Sequence, residues 1–295
     1  MRYVRNFMNY AVVYFKSETA EPLIERLVRE YSDIGSELLK IGSVYVNQKR
    51  ADPAAHLNIG DLVRVHTNPR RYPIRDFDWK ARILFENDDL LAVNKPSFVP
   101  CHPTVDNIEE NIKKIFEGFL GQYLWIGQRL DLGTTGCLVL FKNLNELHYL
   151  NKELRSGRVQ KYYDAWTRTP PPVGILEHRI LSTGRAPVQA FERDDELGKP
   201  AKLEVLEVSQ DHELGIYKSK IQLFTGRTHQ IRAQLARVGH PLVGDLMYGD
   251  SCGDDQMFAL HCRRLRWSGR AQSYDITAHS DDEWRRRIKV FCSPH

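Results

Sequence analysis

Cysteine is scarce in this 295-residue chain, and its five copies are spaced in a way that excludes much. Cys101, Cys137, Cys252, Cys262 and Cys292 are odd in number and include no Cys-x-x-Cys pair. That argues against a disulfide framework and a structural zinc site, and free thiols in a reducing compartment are expected. Long apolar runs are also missing, so no stretch is read as a membrane-spanning helix. The N-terminal residues carry an apolar patch, Ala11 to Phe15. They have no basic start leading into a sustained apolar core and a small-residue cleavage site, so no signal peptide is read and the cytoplasm is the expected location. Charge of one sign is not in large excess: the net +4 permits nucleic-acid binding without demanding it. There is no repeat, no low-complexity tract, no phosphate-cradling glycine loop and no ligand cluster, so neither a metal nor an organic cofactor is expected.

What charge there is comes in clusters. Arg70, Arg71 and Arg75 form one; Arg263, Arg264, Arg266 and Arg270 a second; Arg285, Arg286, Arg287 and Lys289 a third. Such runs are more often solvated faces than binding patches. The aromatic neighbours Tyr72, Trp79, Trp267 and Trp284 favour RNA modestly, because unpaired bases stack on exposed rings. The length allows two domains. Asn68-Pro69-Arg70-Arg71-Tyr72-Pro73 continues neither a helix nor a central strand. A linker is therefore expected over 69–81, between a small domain at 1–68 and a larger one at 82–295.

In the small domain, Leu23, Ile24, Leu27 and Val28 have helical spacing, and Leu38, Leu39 and Ile41 lead to a helix stop at Gly42. Val44 to Val46 reads as a strand, and Gly60-Asp61 turns into another at Leu62 to His66. Beyond the linker, Ile83 to Lys95 reads as strand, acidic turn, strand. A helix begins after the cap Asn143, carries Leu147, Leu150 and Leu154 on one face, and ends at Gly157. Val159 to Trp166 reads as a strand with Val159, Lys161, Tyr163 and Ala165 on one face.

Two segments carry chemistry. In Gly127-Gln128-Arg129-Leu130-Asp131-Leu132-Gly133-Thr134-Thr135-Gly136 one carboxylate sits in a Gly/Thr-rich turn just before the apolar run Cys137 to Phe141, which reads as a buried strand. A loop acid held against a rigid strand is a common way to fix a reactive group; a turn carboxylate bonding its own backbone is the plainer reading. In Thr225-Gly226-Arg227-Thr228-His229-Gln230-Ile231-Arg232, Thr228 is placed to cap a helix whose apolar face holds Ile231, Leu235 and Val238, with Gly239 as its stop. A helix start with Arg227 and His229 favours anions. Arg232, between residues of the apolar face, is expected to be partly buried beside an acid.

The Arg-Leu-Asp segment resembles the central motif of the RluA-type RNA pseudouridine synthases, with Gln128, Gly133 and Thr135 as departures. The Thr225 to Leu235 segment, continued by Gly239-His240-Pro241-Leu242-Val243-Gly244-Asp245 and Tyr248-Gly249, resembles that family's second large motif over more than twenty residues. Lys95-Pro96 with His102-Pro103, Lys161-Tyr162-Tyr163-Asp164-Ala165, and Leu260-His261 resemble further family segments, Phe98 standing where glycine is usual. The 41–47 and 60–65 segments resemble the S4 RNA-binding domain, with Gly35-Ser36-Glu37 in place of its usual Ser-Arg pair and Asn47-Gln48 in place of an Asn-Gly turn.

The resemblance implies an α+β fold: a mixed, largely antiparallel catalytic sheet preceded by a small S4-like domain. It implies isomerisation of uridine to pseudouridine in ribosomal or transfer RNA by a monomer that requires no protein partner. Asp131, Tyr163 and Arg232 would be the catalytic residues, and Arg129, Arg227, His229, Lys95 and His102 would touch RNA. Asp131 would attack C1′ or take a proton from C2′. Arg232 would keep it ionised, Tyr163 would stack on the base, and Arg129 would fill the space left by the flipped nucleotide or hold a phosphate. The alternative is a non-catalytic RNA-binding or ribosome-assembly protein that keeps the fold. A hydrolytic nucleoside glycosidase would want a second acid, and no candidate has supporting context.

Overall fold

The computed structural model describes residues 3–7, 10–182, 187–193, 195–251, 257–280, 285–286 and 288–290. Cys252, Trp284, Arg287 and Cys292 lie outside the described residues. The chain divides into two compact units: Met1–Asp76 with His102–Leu120, and Phe77–Cys101 with Gly121–His295.

The first unit contains β1 (Tyr3–Phe7), β2 (Tyr10–Lys16), β3 (Glu21–Pro22), α1 (Leu23–Tyr31), α2 (Asp33–Lys40), β4 (Val44–Val46), β5 (Lys49–Arg50), β6 (His56–Leu57), β7 (Leu62–His66) and α3 (Ile112–Leu120). Five strands form an antiparallel sheet in the order β1-β2-β7-β4-β5. Its core is Phe15, Leu23, Leu27, Leu38, Leu39, Val44, Leu57, Val63 and Val65; helical spacing also picks Val28, which is exposed on α1. Both departures from the S4 pattern have a local explanation. A Cβ on Gly35 would meet the Leu27 carbonyl oxygen at 2.4 Å, so only glycine lets α2 fold back this closely on α1. Asn47 and Gln48 both adopt positive φ, 47° and 69°, and turn the β4–β5 hairpin without a glycine. The Asn47 side chain helps, donating to Asp61 and accepting the Leu62 N–H.

The segment 102–120, expected in the domain at 82–295, belongs instead with the first unit. The buried acceptors Asp106 and Glu110 explain this. Asp106 takes the Arg70 guanidinium and backbone N–H, and Glu110 takes the Arg71 guanidinium and the Tyr72 N–H. Arg70 and Arg71 of the first arginine cluster therefore pair with acids inside this unit. The aromatic expectation is also overturned: Tyr72, Trp79 and Trp267 are buried, and Trp267 stacks on Tyr274. Arg264 pairs with Asp275, and Arg285 with Asp211 and Glu213.

The second unit contains β8 (Ile83–Glu86), β9 (Leu90–Lys95), β10 (Trp125–Ile126), β11 (Thr135–Phe141), α4 (Leu144–Arg155), β12 (Gln160–Thr167), β13 (Gly174–Leu181), β14 (Gln189–Phe191), β15 (Lys199–Asp211), β16 (Ile216–Leu223), α5 (Gln230–Arg237), a 3-10 turn at Leu246–Tyr248, β17 (Leu260–Ser268) and β18 (Ser273–Thr277). These strands build an eleven-stranded sheet in the order β14-β13-β15-β16-β12-β17-β11-β9-β8, with β10 on β11 and β18 on β17. Only β11 and β17 pair in parallel among the described strands. They approach closely: a Cβ on Gly136 (φ 103°) would fall 2.2 Å from the Cys262 carbonyl oxygen. The sheet is mixed and largely antiparallel, as the family resemblance implies. β11 is buried along its whole length, and α4 starts at Asn143, whose side chain accepts the Asn145 N–H.

No helix among the described residues is long and apolar enough to cross a membrane. Cys101, Cys137 and Cys262 are free and buried.

Candidate active site

Asp131 lies in the loop that enters β11, and its neighbours hold that loop from below. The Thr134 N–H closes a turn on the Asp131 carbonyl at 3.1 Å. Lys95, at the end of β9, is fully buried, and its ammonium donates to the carbonyls of Pro96, Leu132 and Thr134 at 2.8, 2.9 and 2.9 Å. The Phe98 N–H adds a second bond to Leu132 O at 3.1 Å, and Cys101 exchanges bonds with the Leu130 backbone. The resemblance assigns Lys95 to RNA contact; burial and three carbonyl partners make it a brace for the Asp131 loop instead. Burial pulls its pKa down to about 8, against the opposing field of Cys101 and Asp131. At the start of β11 the Thr135 hydroxyl lies 2.8 Å from Nδ1 of buried His261, whose Nε2 lies 3.1 Å from Ala278 O.

Phe98 shows why glycine is usual at its position: its φ is 65°. A left-handed backbone at a residue with a side chain costs about 1–2 kcal/mol, and the ring offsets part of that by packing on the Trp166, Ile216, Val243 and Ala259 cluster.

The second motif supplies the groups facing Asp131. The helix does not start where a Thr228 cap would place it. α5 begins at Gln230, after His229 at φ 51°, and Gln230 organises the entry: its Oε1 accepts the Arg227 N–H and the Thr225 hydroxyl. At the other end Gly239 (φ 86°) and His240 return their N–H groups to Ala236 and Leu235, a glycine-dependent helix stop. On α5, Arg232 is buried between the rings of Phe258 and Tyr248, at 4.0 and 4.8 Å from their centroids. Its acid is Asp245, which no spacing rule singles out. Nε and Nη2 meet the two Asp245 oxygens at 2.7 and 2.8 Å. Nη1 is then directed at Asp131, 3.7 Å from Oδ2. His229 Nε2 lies 4.0 Å from Asp131 Oδ1. Burial works against the Arg232 charge, but the bonds and field of Asp245, with Asp131 behind it, leave its pKa raised.

Asp131 itself keeps 27% of its side chain exposed, so one carboxylate is open to solvent while backed by a cation. Tyr163 is buried on β12 at a register shift against β17, the kind of irregularity that re-aims a side chain. Burial pushes its hydroxyl well above the ordinary range, and the neighbouring Cys262 thiol and Asp131 act the same way. Tyr163 is a neutral phenol. Arg129 is exposed beside Asp131 in sequence. Arg227 donates from Nε to Pro200 O at 3.0 Å. His102 falls in the first unit, with Nδ1 2.8 Å from Pro103 O. The structure thus brings Asp131, Arg232 and His229 together and buries Lys95. Sequence reasoning passes over Asp245 and Tyr248, although both stand inside the quoted motif; a buried arginine's need for an acid is the signal for Asp245. Among the described residues no group of three or more His, Cys, Asp and Glu side chains is gathered as a metal would require.

A large mixed sheet presents one cation-backed carboxylate from a braced loop, an arrangement chemically able to serve acid–base or nucleophilic work. Comparison with known proteins gives the family. Residues 89–237 match the family described as RNA pseudouridylate synthase, and the chain belongs to it. It is 30% identical over 267 residues to RNA pseudouridine synthase 6, chloroplastic, of Oryza sativa subsp. japonica, covering 83% of this chain and 54% of that protein. It is 30% identical to the ribosomal large subunit pseudouridine synthase C of Pasteurella multocida, covering 77% and 73%. The solved structure of human RNA pseudouridylate synthase domain containing 1 is similar with a TM-score of 0.54 and 28% identity, covering 67% of this chain and 82% of that one. The chain spans about half the length of the rice relative.

Proposed function

We propose that the chain isomerises uridine to pseudouridine within ribosomal or transfer RNA, acting as a monomer in the cytoplasm, with Asp131 as the working carboxylate. The observation that carries this reading is the pairing of Asp131 with Arg232 at 3.7 Å on a loop braced by Lys95. The reaction breaks the N1–C1′ bond, turns the base and rejoins C5 to C1′, so it needs an acid that stays ionised beside the sugar once a base covers the site. A guanidinium already locked by another acid supplies a fixed positive field and has nothing to reorganise during the step.

The catalytic roles divide by environment. Asp131, partly exposed, reaches the ribose as nucleophile at C1′ or as base at C2′. Tyr163, buried and neutral, offers its ring face to the uracil. A target base inside folded RNA must leave its stack, and exposed Arg129, next to Asp131 in the chain, is suited to occupy the gap or hold a phosphate. In the first unit, α1 and α2 followed by the short strands β4 and β5 support the reading of an S4-like module that binds RNA.

The experiment is Asp131→Asn, which keeps the shape and removes the charge. Isomerisation of total RNA from cells lacking this gene, followed by pseudouridine mapping, is expected to vanish while the variant still binds that RNA. Full turnover by the Asn variant sinks the assignment.

A further inference from the structure

His229 occupies a backbone conformation that has to be held in place. Its φ of 51° is the left-handed region, where a residue with a side chain costs about 1–2 kcal/mol. The conformation lets the His229 carbonyl accept the Ala233 N–H, the first turn of α5, while the side chain enters the site rather than capping the helix. The ring then sits between Tyr248, edge to face at 5.8 Å, and Asp131.

The hydrogen bonds around Tyr248 bear on which ring nitrogen carries the proton. The Tyr248 oxygen accepts the backbone N–H of Val188 at 2.8 Å. His229 Nδ1 lies 3.0 Å from the same oxygen, within reach of the Tyr248 proton. When Tyr248 donates to Nδ1, the neutral ring carries its hydrogen on Nε2, the nitrogen that lies 4.0 Å from Asp131 Oδ1. The charged and titratable groups around the ring are Asp131, Asp245, Arg232 and Tyr248. Burial, then Arg232, disfavour a positive ring; the two carboxylates oppose them; the balance lowers the His229 pKa.

We propose that His229 is a positioning residue for Asp131, set as the Nε2–H tautomer by Tyr248 so that it offers the carboxylate a neutral donor. The proposal rests on Asp131 being the working acid. The two oxygens of Asp131 have unlike neighbours. Arg232 faces Oδ2 and sets the charge; His229 faces Oδ1 and fixes the rotation of the carboxylate without adding a second cation. That difference matters because a second full positive charge would stabilise the carboxylate further and weaken it as nucleophile or base. A 4.0 Å separation is too long for a hydrogen bond, and closing it by about 1 Å as RNA fills the site is the kind of tightening expected of catalytic contacts.

The test has a spectroscopic arm and a kinetic arm, both on the full chain. Ring-nitrogen NMR of histidine-labelled protein is expected to show His229 as the Nε2–H tautomer at neutral pH, and a mixture of tautomers in Tyr248→Phe. Single-turnover isomerisation is read on total RNA from cells lacking this gene. Tyr248→Phe is expected to slow the saturated rate about tenfold and leave the half-saturating enzyme concentration within about twofold, the loss of one hydrogen bond between neutral groups. His229→Gln, whose amide nitrogen replaces Nε2, should stay within about fivefold of the parent, whereas His229→Leu should lose about a hundredfold. An Nδ1–H tautomer in the unaltered protein overturns the proposal without any variant having to fold. So does a His229→Gln variant that melts like the parent yet is as slow as His229→Leu. If Asp131→Asn turns over fully, the working-acid reading falls and this proposal with it; if Asp131→Asn is dead and the tautomer is Nδ1–H, only this proposal falls.

Discussion

Arg232 and Asp245 form a two-point ion pair out of solvent, Nε to Oδ2 at 2.7 Å and Nη2 to Oδ1 at 2.8 Å. The pair explains how a guanidinium can serve a reactive carboxylate without being neutralised by it. Asp245 satisfies the fork geometry of the arginine and fixes its plane. The remaining nitrogen, Nη1, points at Asp131 from 3.7 Å. Asp131 therefore feels a positive charge whose position it does not control.

This division of labour predicts an asymmetric mutant cycle. Arg232→Met leaves Asp245, 1% exposed, as a buried charge without its partner, and is expected to cost about 3–5 kcal/mol. Adding Asp245→Asn should restore about 2 kcal/mol or more of that, because the stranded charge is gone. Adding Asp131→Asn should change stability by less than about 1 kcal/mol, since Asp131 is part exposed and its contact is long. Denaturant unfolding of the parent, the single variants and the two double variants measures both couplings. Equal couplings would show that Arg232 is shared evenly between the acids.

Lys95 is the matching prediction for the other side of Asp131. Its three acceptors are backbone carbonyls, so Lys95→Met removes every donor and is expected to cost about 3 kcal/mol. The wild-type group also leaves a pH signature. Its folded pKa is lowered by burial to about 8, below the unfolded value of about 10.4. Above the unfolded pKa its contribution to stability is fully present, and it is lost as pH falls through about 8. Stability from this group therefore rises between about pH 8 and pH 10.4 in the parent, and Lys95→Met should lack that rise. Parallel stability-versus-pH curves for the two proteins over that window would show that Lys95 titrates as in the unfolded chain, its burial offset by its hydrogen bonds.

Much of the fold and of the site is legible in the sequence, and the boundary of legibility is physical. α1, α4 and the strands around Asp131 follow from apolar spacing and local caps such as Asn143. Asp131 and Arg232 are visible because each sits in a motif. Local chemistry alone does not give the partners. Asp245 is thirteen residues beyond Arg232 in a turn, and nothing in helical periodicity links them. Lys95 looks like a surface cation until the loop it braces folds over it. Thr228 looks like a cap, but left-handed His229 and the side chain of Gln230 take over the helix entry. The arginine clusters and their aromatic neighbours suggest an RNA face because burial and acid partners from distant segments do not show in a local window.

The last prediction concerns the segment 102–120. A boundary at the Pro/Arg-rich stretch would make removal of the N-terminal residues harmless to everything beyond it. The observed packing predicts otherwise. Asp106 and Asn107 are fully buried and Glu110 nearly so. Their partners are Arg70, Arg71 and Tyr72, while Ile108 donates to Ile41 O, Ser43 to Asp106 O and Tyr45 to Val105 O. All of those partners lie within Met1–Asp76. Deleting 1–76 strips 102–120 of its frame and leaves carboxylates and an amide that must find water. Hydrogen exchange is expected to show 102–120, including α3, losing protection to the level of an unfolded peptide. β11, β12 and β16, whose ladders run within the second unit, should keep theirs. Unchanged protection of α3 in the truncated protein would mean that this segment is held by the second unit.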